Sequence, residues 1–353
     1  MTKRRQTKPG PGHFHGSGHY VRQMINCLEK VSGRSGYHPS SVFDDWTQQV
    51  HACLEALPAH LTSIARTGRL AEDTPETKQL FERLRSRYQT PPYRSSSIDI
   101  WSYFGQAFAL LLECAEPGLW AFDYDSGYMG PDVLGHIFME FSQPSPHSGQ
   151  FLTPWNIALM MASFLDGKTD VYERLKRACQ HPDNILAHAT LLAGLAIEEP
   201  AQAQEWFINR VVPAAISHFE PLKICDPCVG SSVMLLASAR TFEPWMVQMG
   251  LVQFFGMEID PVLTRVSQIN CRLYGLNGYA LRLAEAVSVA TEAQRNREEP
   301  VMAAPPKSVG AVIEQATQGL RRQPDGPAEH GELSFESLFK RVVRPVVAEE
   351  ASA

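Results

Sequence analysis

The chain has 353 residues, of which 44% are hydrophobic and 20% are charged, and its net charge at pH 7 is -6. This length and apolar content are enough for two domains with buried cores. The longest apolar runs are about half of what a membrane-spanning helix needs and no secretory leader is apparent, so we expect a cytoplasmic protein without membrane contact. The negative charge disfavours a chain that grips nucleic acid by itself, but it permits a subunit that shares DNA contacts with a partner.

The first twenty residues, MTKRRQTKPGPGHFHGSGHY, are rich in Gly, Pro and basic side chains and lack apolar periodicity. We expect residues 1–20 to form a flexible basic arm. His13, His15 and His19 raise the alternative of a metal site. Because no Cys or carboxylate joins them, a solvated tail is favoured, and no metal is expected.

Residues 21–141 have the pattern of a helical domain. In SSVFDDWTQQVHACLEAL, apolar residues recur at three- and four-residue steps, and Ser40 or Ser41 is the expected N-cap. In TPETKQLFERLRSRY, Thr74 is the cap candidate and Pro75 the first helical residue. The more apolar run IDIWSYFGQAFALLLECA is expected to be a buried helix.

From residue 142 onward the pattern changes to strands that alternate with helices. After a helical insertion at about 165–215, the apolar runs LKICDP, QFFGMEID and YALRLAEA are each stopped by acidic or turn residues, with helical stretches between them. EPVMAAP is a fourth candidate strand. This alternation is typical of βαβ units and predicts a parallel sheet over 142–306. Residues 307–353 are expected to form a polar tail with one helix, SFESLFKRVVRPVV.

The stretch KICDPCVGSS has two interpretations. Cys225 and Cys228 have the spacing of a redox dithiol or of half a zinc site, but no second half follows, and Asp-Pro stands before any helix begins. We therefore interpret them as small core residues, and all seven cysteines as reduced thiols. In the second interpretation a strand leads into Asp226, Gly230 allows a tight turn, and the next helix offers free amide donors, as in a nucleotide-type cofactor loop.

A second acidic strand end favours the cofactor loop. QFFGMEID, which follows the loop, ends in Glu258 and Asp260. An acid at the end of the second strand is the usual partner of ribose hydroxyls. The two features together are more specific than either alone.

Four segments, in this order, resemble motifs of the adenine-specific amino-methyltransferases of DNA, in particular the modification subunit of type I restriction systems. The family's DxLGxxYE, GxFYTP, DPxxGSG and GxEIDP have counterparts in DVLGHIFMEF, GQFLTP, DPCVGSS and GMEIDP. Asn270 and Gly275 continue the last motif. The resemblance covers residues 132–287. It implies an α/β fold with a Rossmann-like S-adenosylmethionine-dependent methyltransferase core, whose sheet is incomplete here, behind an N-terminal all-helical domain.

The resemblance also implies a set of residues that bind S-adenosylmethionine. The segment before Trp155 would lie against the methionine part, and the loop would lie under the methionine end. Glu258 would hold the ribose hydroxyls and Ile259 would cover the adenine, while Glu285 takes the place of the family's aspartate that binds the adenine amino group. The full set is Gln150, Phe151, Thr153, Pro154, Asp226, Gly230, Ser231, Glu258, Ile259 and Glu285.

The family's catalytic motif, NPPF or NPPY, has only a degenerate counterpart, MAAPPKSVG. In the family, the asparagine side chain and a proline carbonyl accept hydrogen bonds from the adenine amine, and the aromatic ring stacks on the flipped-out base. Here Ala304 and Lys307 stand in those two places, with Pro305 and Pro306 between them. No catalytic residue is therefore intact. Alternatively, the segment is a proline-rich loop unrelated to the motif.

Two further departures bear on function. Ser232 replaces a glycine of the motif and is expected to crowd the loop where the cofactor approaches. Few residues follow Lys307, so another chain is expected to complete or cover the sheet. The favoured hypothesis is a pseudoenzyme that keeps the fold, with S-adenosylmethionine binding retained or lost, and acts as a DNA-associated or partner-binding subunit. The alternatives are an active DNA adenine methyltransferase completed by a partner chain in a restriction-modification system, and a purely structural assembly subunit without cofactor.

Overall fold

A computed structural model of the chain describes residues 17–89, 99–126, 129–142, 151–276 and 278–282. Within these residues the chain forms thirteen α-helices and a three-stranded sheet. The chain divides into two compact units. The first contains the described parts of residues 1–166 and 223–289, and the second contains residues 167–222.

Helices make up most of the first unit. Six of them precede the strands: α1 (Ser17–Ser35), α2 (Pro39–Thr67), α3 (Pro75–Arg87), α4 (Ile100–Ala115), α5 (Val133–Ser142) and α6 (Trp155–Ala162). Three more lie between the strands: α11 (Val233–Arg240), α12 (Pro244–Gln248) and α13 (Pro261–Leu273). Short 3-10 turns occupy Leu119–Ala121 and Tyr124–Ser126.

The start of α2 differs from the sequence prediction. Ser40 and Ser41 are not its caps, because the helix already begins at Pro39. The cap is His38, whose ring Nδ1 accepts a hydrogen bond from the Ser40 backbone N at 3.3 Å. A proline at the first helical position has no N–H to satisfy, so a start at Pro39 leaves one orphan donor fewer.

The predicted start of α3 is confirmed. Thr74 is the N-cap, its hydroxyl oxygen accepts from the Thr77 backbone N at 3.2 Å, and Pro75 is the first helical residue. Helix α1 begins at Ser17, so the last four residues of the expected arm, 17–20, are helical.

An apolar core holds the helices of the first unit together. On α2, Trp46 and Phe43 are fully buried with ring centroids 6.1 Å apart, and the Trp46 indole N–H donates to the Phe104 carbonyl oxygen at 3.2 Å. Burying each such side chain contributes about 1.5–3 kcal/mol. The core also includes α13, through Leu263, Val266 and Ile269. The N-terminal helices and the helix between β2 and β3 therefore share one core.

Two of the three strands confirm the predicted parallel pairing. They lie in the order β1 (Leu222–Asp226), β2 (Val252–Glu258) and β3 (Gly278–Arg282). β2 and β3 are parallel, with Phe254 opposite Gly278 and Glu258 opposite Arg282. This is a small sheet rather than a complete Rossmann core within the described residues. The candidate strand EPVMAAP and the predicted helix SFESLFKRVVRPVV lie outside them.

The second unit is helical throughout its described residues before β1. It contains α7 (Gly167–Gln180), α8 (Ile185–Gly194), α9 (Pro200–Trp206), a π-helical turn (Phe207–Val211), α10 (Val212–Ala215) and a 3-10 turn (Ile216–His218). Its core is apolar, and the Trp206 indole N–H donates to the Thr190 carbonyl oxygen at 2.8 Å. The domain boundaries expected from the sequence, at 141 and 306, stay a prediction. Among the helices of both units that the structure describes, none has the length and apolar character that crossing a membrane requires.

Candidate functional site

The loop after β1 runs from Asp226 to Ser232 and leads into α11. One carboxylate oxygen of Asp226 accepts a hydrogen bond from the Cys228 backbone N at 2.9 Å, which closes a tight turn. Gly230 has a φ of 53°, in the left-handed region that favours glycine. A Cβ at Gly230 would also lie 2.9 Å from the Leu152 side chain. The aspartate and the glycine of the motif are thus both required by the shape of this loop.

The loop packs directly on β2. The Val229 backbone N donates to the Met257 carbonyl oxygen at 3.0 Å. The Val229 side chain lies over Gly256, where a Cβ would approach it to 2.8 Å. The glycine of GMEIDP therefore allows the loop to approach the strand closely.

Glu258, at the end of β2, holds three backbone N–H groups. Its Oε2 accepts from Gly230 N at 2.9 Å, and its Oε1 accepts from Ile259 N at 2.8 Å and Asp260 N at 3.0 Å. A carboxylate offers about four acceptor positions, so roughly one remains for a ligand. These bonds fix the orientation of the carboxylate and join the end of β2 to the loop after β1.

The next residues along the chain combine an exposed apolar side chain with a helix cap. Ile259 is 70% exposed. Asp260 caps α13, because its Oδ1 accepts from Val262 N at 2.7 Å and from Leu263 N at 3.1 Å. Asp260 therefore has a structural role, whereas Ile259 presents a free apolar surface beside Glu258.

Three of the four family-like segments meet in a buried polar network, which consists of Asp132, Ser231 and Asn270. The Ser231 hydroxyl donates to Asp132 Oδ2. The Asn270 Nδ2 donates to Asp132 Oδ1 at 2.9 Å and to the Ser231 carbonyl oxygen at 2.8 Å. All three side chains are at most 3% exposed. The network connects the start of α5, the loop after β1, and α13.

The carboxyl group of Asp132 is itself tightly held. Its Oδ1 accepts from the Gly135 backbone N at 3.0 Å at the start of α5, and a Cβ at position 135 would collide with the carboxylate. The glycine of DVLG is thereby explained. Burial raises the pKa of Asp132, while the hydrogen bond from Ser231 and the nearby His136 act in the opposite direction.

Ser232 adopts a left-handed backbone, with a φ of 79°, and is the one non-glycine residue with positive φ among the residues described. Its side chain is fully buried and contacts the Ser267 hydroxyl and, at 3.7 Å, the Cys271 sulfur. The expectation that Ser232 crowds the cofactor side of the loop is therefore wrong. Its hydroxyl is turned toward α13.

A cavity of about 80 Å³ lies beside the loop. It is open to solvent and has room for several water molecules. Phe151, predicted to lie against a cofactor, is 77% exposed, and Pro154 is the N-cap residue of α6. Around the cavity stand Asp132, Gly135, His136, Phe151, Thr153 and Val233.

The two cysteines of the loop are not core residues. Cys225 and Cys228 are both exposed free thiols, so that interpretation is wrong. Residues of β1 alternate between half-buried and exposed, which leaves Cys225 on an open face. Within the described ranges no group of three His, Cys, Asp or Glu side chains is arranged to hold a metal.

Several predicted residues lie outside the described part of the chain. They are Gln150, Glu285, Ala304, Pro305, Pro306 and Lys307. Conversely, the sequence alone assigns no role to Asp132 and Asn270, although Asp132 stands in a family-like segment and Asn270 continues another. The signal for them was a polar residue within an otherwise apolar or helical pattern, which a buried hydrogen bond explains.

A strand, a glycine loop and a helix, followed by a second strand with an acidic end, are the features of a nucleotide-type cofactor domain. Residues 191–335 match the family model described as N-6 DNA Methylase. The matched stretch includes the loop, β2 and α13, so the resemblance to adenine-specific DNA methyltransferases is confirmed there. The segments DVLGHIFMEF and GQFLTP precede it. No curated protein and no solved structure matched the chain.

Proposed function

We propose that the chain is a homologue of adenine-specific DNA methyltransferases that binds S-adenosylmethionine but does not transfer its methyl group. In this proposal it acts as a DNA-associated, partner-binding subunit. The observation that carries the cofactor part is the bond between Gly230 N and Glu258 Oε2 at 2.9 Å. It brings a glycine loop and a strand-end carboxylate together in the arrangement that holds a ribose and its neighbouring groups.

The residues present fit the cofactor. Glu258 keeps roughly one acceptor position for a ribose hydroxyl, and the exposed Ile259 offers an apolar surface to the adenine ring. Asp226 and Gly230 shape the loop at the methionine end, and Thr153 borders the cavity beside it. The proposed set is completed by Gln150, Phe151, Pro154, Ser231 and Glu285. S-adenosylmethionine, when bound, would supply an electrophilic methyl group on its sulfonium.

The loss of methyl transfer is supported by the sequence MAAPPKSVG. The lone pair of the adenine amine is delocalised into the ring, and hydrogen-bond acceptors at the amine are needed to make it nucleophilic. Ala304 has no side-chain acceptor, and Lys307 offers no ring on which a flipped base would stack. The chain would therefore hold the methyl donor without activating the acceptor.

The partner-binding role is supported by apolar surface on and after α6. Phe164 is 81% exposed, and Ile157, Met160, Met161 and Leu165 are also exposed. Exposed apolar side chains in one short segment are typical of protein interaction surfaces. The net charge of -6 fits DNA contacts that are shared with a partner rather than made alone. The same surface favours the second candidate, a methyltransferase whose activity a partner chain completes.

Isothermal titration calorimetry with S-adenosylmethionine tests the cofactor part. We expect the wild-type chain to bind it, Glu258→Ala to weaken binding at least about tenfold by losing a charged hydrogen-bond partner, and Glu82→Ala, an exposed acid on α3, to leave binding unchanged. Absence of binding by the wild type would support the purely structural assembly subunit instead.

Transfer of a labelled methyl group to unmethylated DNA tests the catalytic part. We expect no transfer by the chain alone. Robust transfer by the chain alone would overturn the proposal. Transfer that requires an added partner subunit would establish the second candidate.

A further inference from the structure

Ser231 is held at two different atoms. Asp132 accepts a hydrogen bond from its hydroxyl, and Asn270 donates to its carbonyl oxygen at 2.8 Å. The first bond fixes the side-chain rotamer, and the second fixes the peptide plane that follows. Gly230, the preceding residue, has a left-handed φ of 53°, a conformation open to glycine, and its N–H points at Glu258 Oε2. The orientation of that N–H therefore depends on how Ser231 is held.

The two groups that hold Ser231 are anchored in the core. Asp132 stands at the first turn of α5, next to Val133 and Leu134, which are buried in the apolar core. Asn270 follows the buried Ile269 of α13. A rigid support of this kind favours ligand binding, because a loop that is already ordered does not lose conformational entropy when the ligand binds.

We propose that Asp132 is a positioning residue, which, together with Asn270, holds Ser231 and thereby sets the loop 226–232 in the conformation that binds the cofactor. This inference rests on the proposed function, since the affinity it controls is that for S-adenosylmethionine. Asp132 touches no part of the cofactor in this proposal. It acts through Ser231, and the DVLG segment is the loop's support rather than part of the reacting site.

Asp45 provides a matched control, because it is an equally buried carboxyl group of the same unit with no contact to the loop. It is 1% exposed, accepts from the Tyr88 hydroxyl at 2.7 Å and lies 3.1 Å from the Arg87 guanidinium. Truncation of either aspartate leaves buried donors unpaired. Both should lower stability, but only Asp132 should change ligand affinity.

The experiment compares Asp132→Ala, Asp132→Asn, Ser231→Ala and Asp45→Ala by calorimetry with S-adenosylmethionine and by thermal unfolding. We expect Asp132→Ala and Ser231→Ala to raise Kd about tenfold, the double variant to be little worse than either, and Asp45→Ala to leave Kd unchanged. Asp132→Asn should restore most of the affinity, because its amide oxygen still accepts from Asn270 and Gly135, and its amide nitrogen, in the place of Oδ2, donates to the Ser231 hydroxyl oxygen. An unchanged Kd in Asp132→Ala or Ser231→Ala, or an equal loss in Asp45→Ala, would overturn the proposal.

Amide hydrogen exchange separates this inference from the proposed function. If the wild type binds no S-adenosylmethionine, the proposed function fails, but protection of the Gly230 amide still reports on the loop. We expect Ser231→Ala, which is the mildest change, to lower that protection about tenfold, and Asp45→Ala to leave it unchanged. Equal protection in wild type and Ser231→Ala would show that the network does not position the loop.

Discussion

Two junctions join the N-terminal helices of the first unit to its strand-bearing part, and they use opposite physical means. Outside the core, α13 and α2 are joined by two ion pairs: the half-buried Arg265 Nη1 lies 2.6 Å from Asp44 Oδ1, and the exposed Arg272 Nη2 lies 2.7 Å from Glu55 Oε1. In the interior, Asn270 of the same helix α13 joins Asp132 and Ser231. Exposed ion pairs contribute about 0–1 kcal/mol each, whereas buried hydrogen bonds to charged groups contribute about 1.5–3 kcal/mol.

The difference between the junctions is one of specificity as well as strength. Surface pairs tolerate small shifts of the helices, because water replaces whatever is lost. The buried network does not tolerate such shifts, because water cannot replace the partner that a buried donor or acceptor loses. Only the interior junction is therefore suited to hold a loop in one conformation.

The largest expected effect comes from removing the shared member of the buried network. Asn270→Ala loses both bonds made by Nδ2 and leaves the Ser231 carbonyl oxygen buried, and we expect the free energy of unfolding to fall by about 2–4 kcal/mol in denaturant titrations. Among the residues that the structure describes, none hydrogen-bonds to Asn270 Oδ1, so the expected loss comes from Nδ2. A fall of less than about 1 kcal/mol in the free energy of unfolding would show that the buried network stabilises the protein no more than the surface ion pairs do.

The raised pKa of Asp132 predicts that the stability of the folded chain depends on pH. Because burial raises its pKa in the folded state above the usual 3.8, the folded chain retains a proton that the unfolded chain releases. The contribution of Asp132 is fully present below pH 3.8 and is lost as pH rises through the folded-state pKa. In urea titrations from pH 4 to 8, Asp132→Asn should thus gain stability relative to wild type as pH increases. A constant difference between the two proteins would contradict a raised pKa.

Backbone strain beside the network should give a smaller effect. At Ser232, with φ at 79°, Gly fits without strain and Ala does not, so Ser232→Gly should be more stable than Ser232→Ala by about 1 kcal/mol. Both variants lose the contact with Ser267, which cancels in the comparison. Equal stabilities in thermal unfolding would mean that this turn carries no strain.

The smallest effect is expected at the surface junction. A double-mutant cycle of Arg272→Ala and Glu55→Ala should give a coupling of about 0.2–1 kcal/mol, because both side chains are largely exposed. Added salt should reduce the coupling further. A coupling above about 2 kcal/mol that resists salt would erase the contrast with the buried network.

The sequence predicts well what depends on neighbouring residues. The three strands, the glycine loop and the Thr74-Pro75 helix start all follow from local patterns, and the structure contains them. The Asp132–Ser231 bond joins residues 99 positions apart and the Asp132–Asn270 bond joins residues 138 apart, which no local pattern reveals. The cap at His38 was missed because serine is the stronger cap by preference, yet Pro39 fixed the start of the helix.

The burial predicted for the cysteines near the end of β1 is also wrong. The apolar run LKIC predicts a strand, and the two cysteines near its end are predicted from the sequence to lie in the core. β1 instead lies at the edge of the described sheet and shows alternating exposure. On α2, Cys53 falls in the same apolar repeat as Trp46 and Val50 but is exposed, because a stripe defined by three- and four-residue steps is wider than the face that neighbours cover.

The exposed thiols give the chain a set of built-in chemical reporters. Cys225 and Cys228 flank Asp226 at the loop, and Cys53 on α2 is the third exposed thiol, while the other four are buried. Alkylation monitored by mass spectrometry would thus label the loop at two positions and an internal reference at one, without any engineered residue. Dividing the alkylation rate of the loop thiols by that of Cys53 would report how far a ligand covers the loop in the wild-type protein.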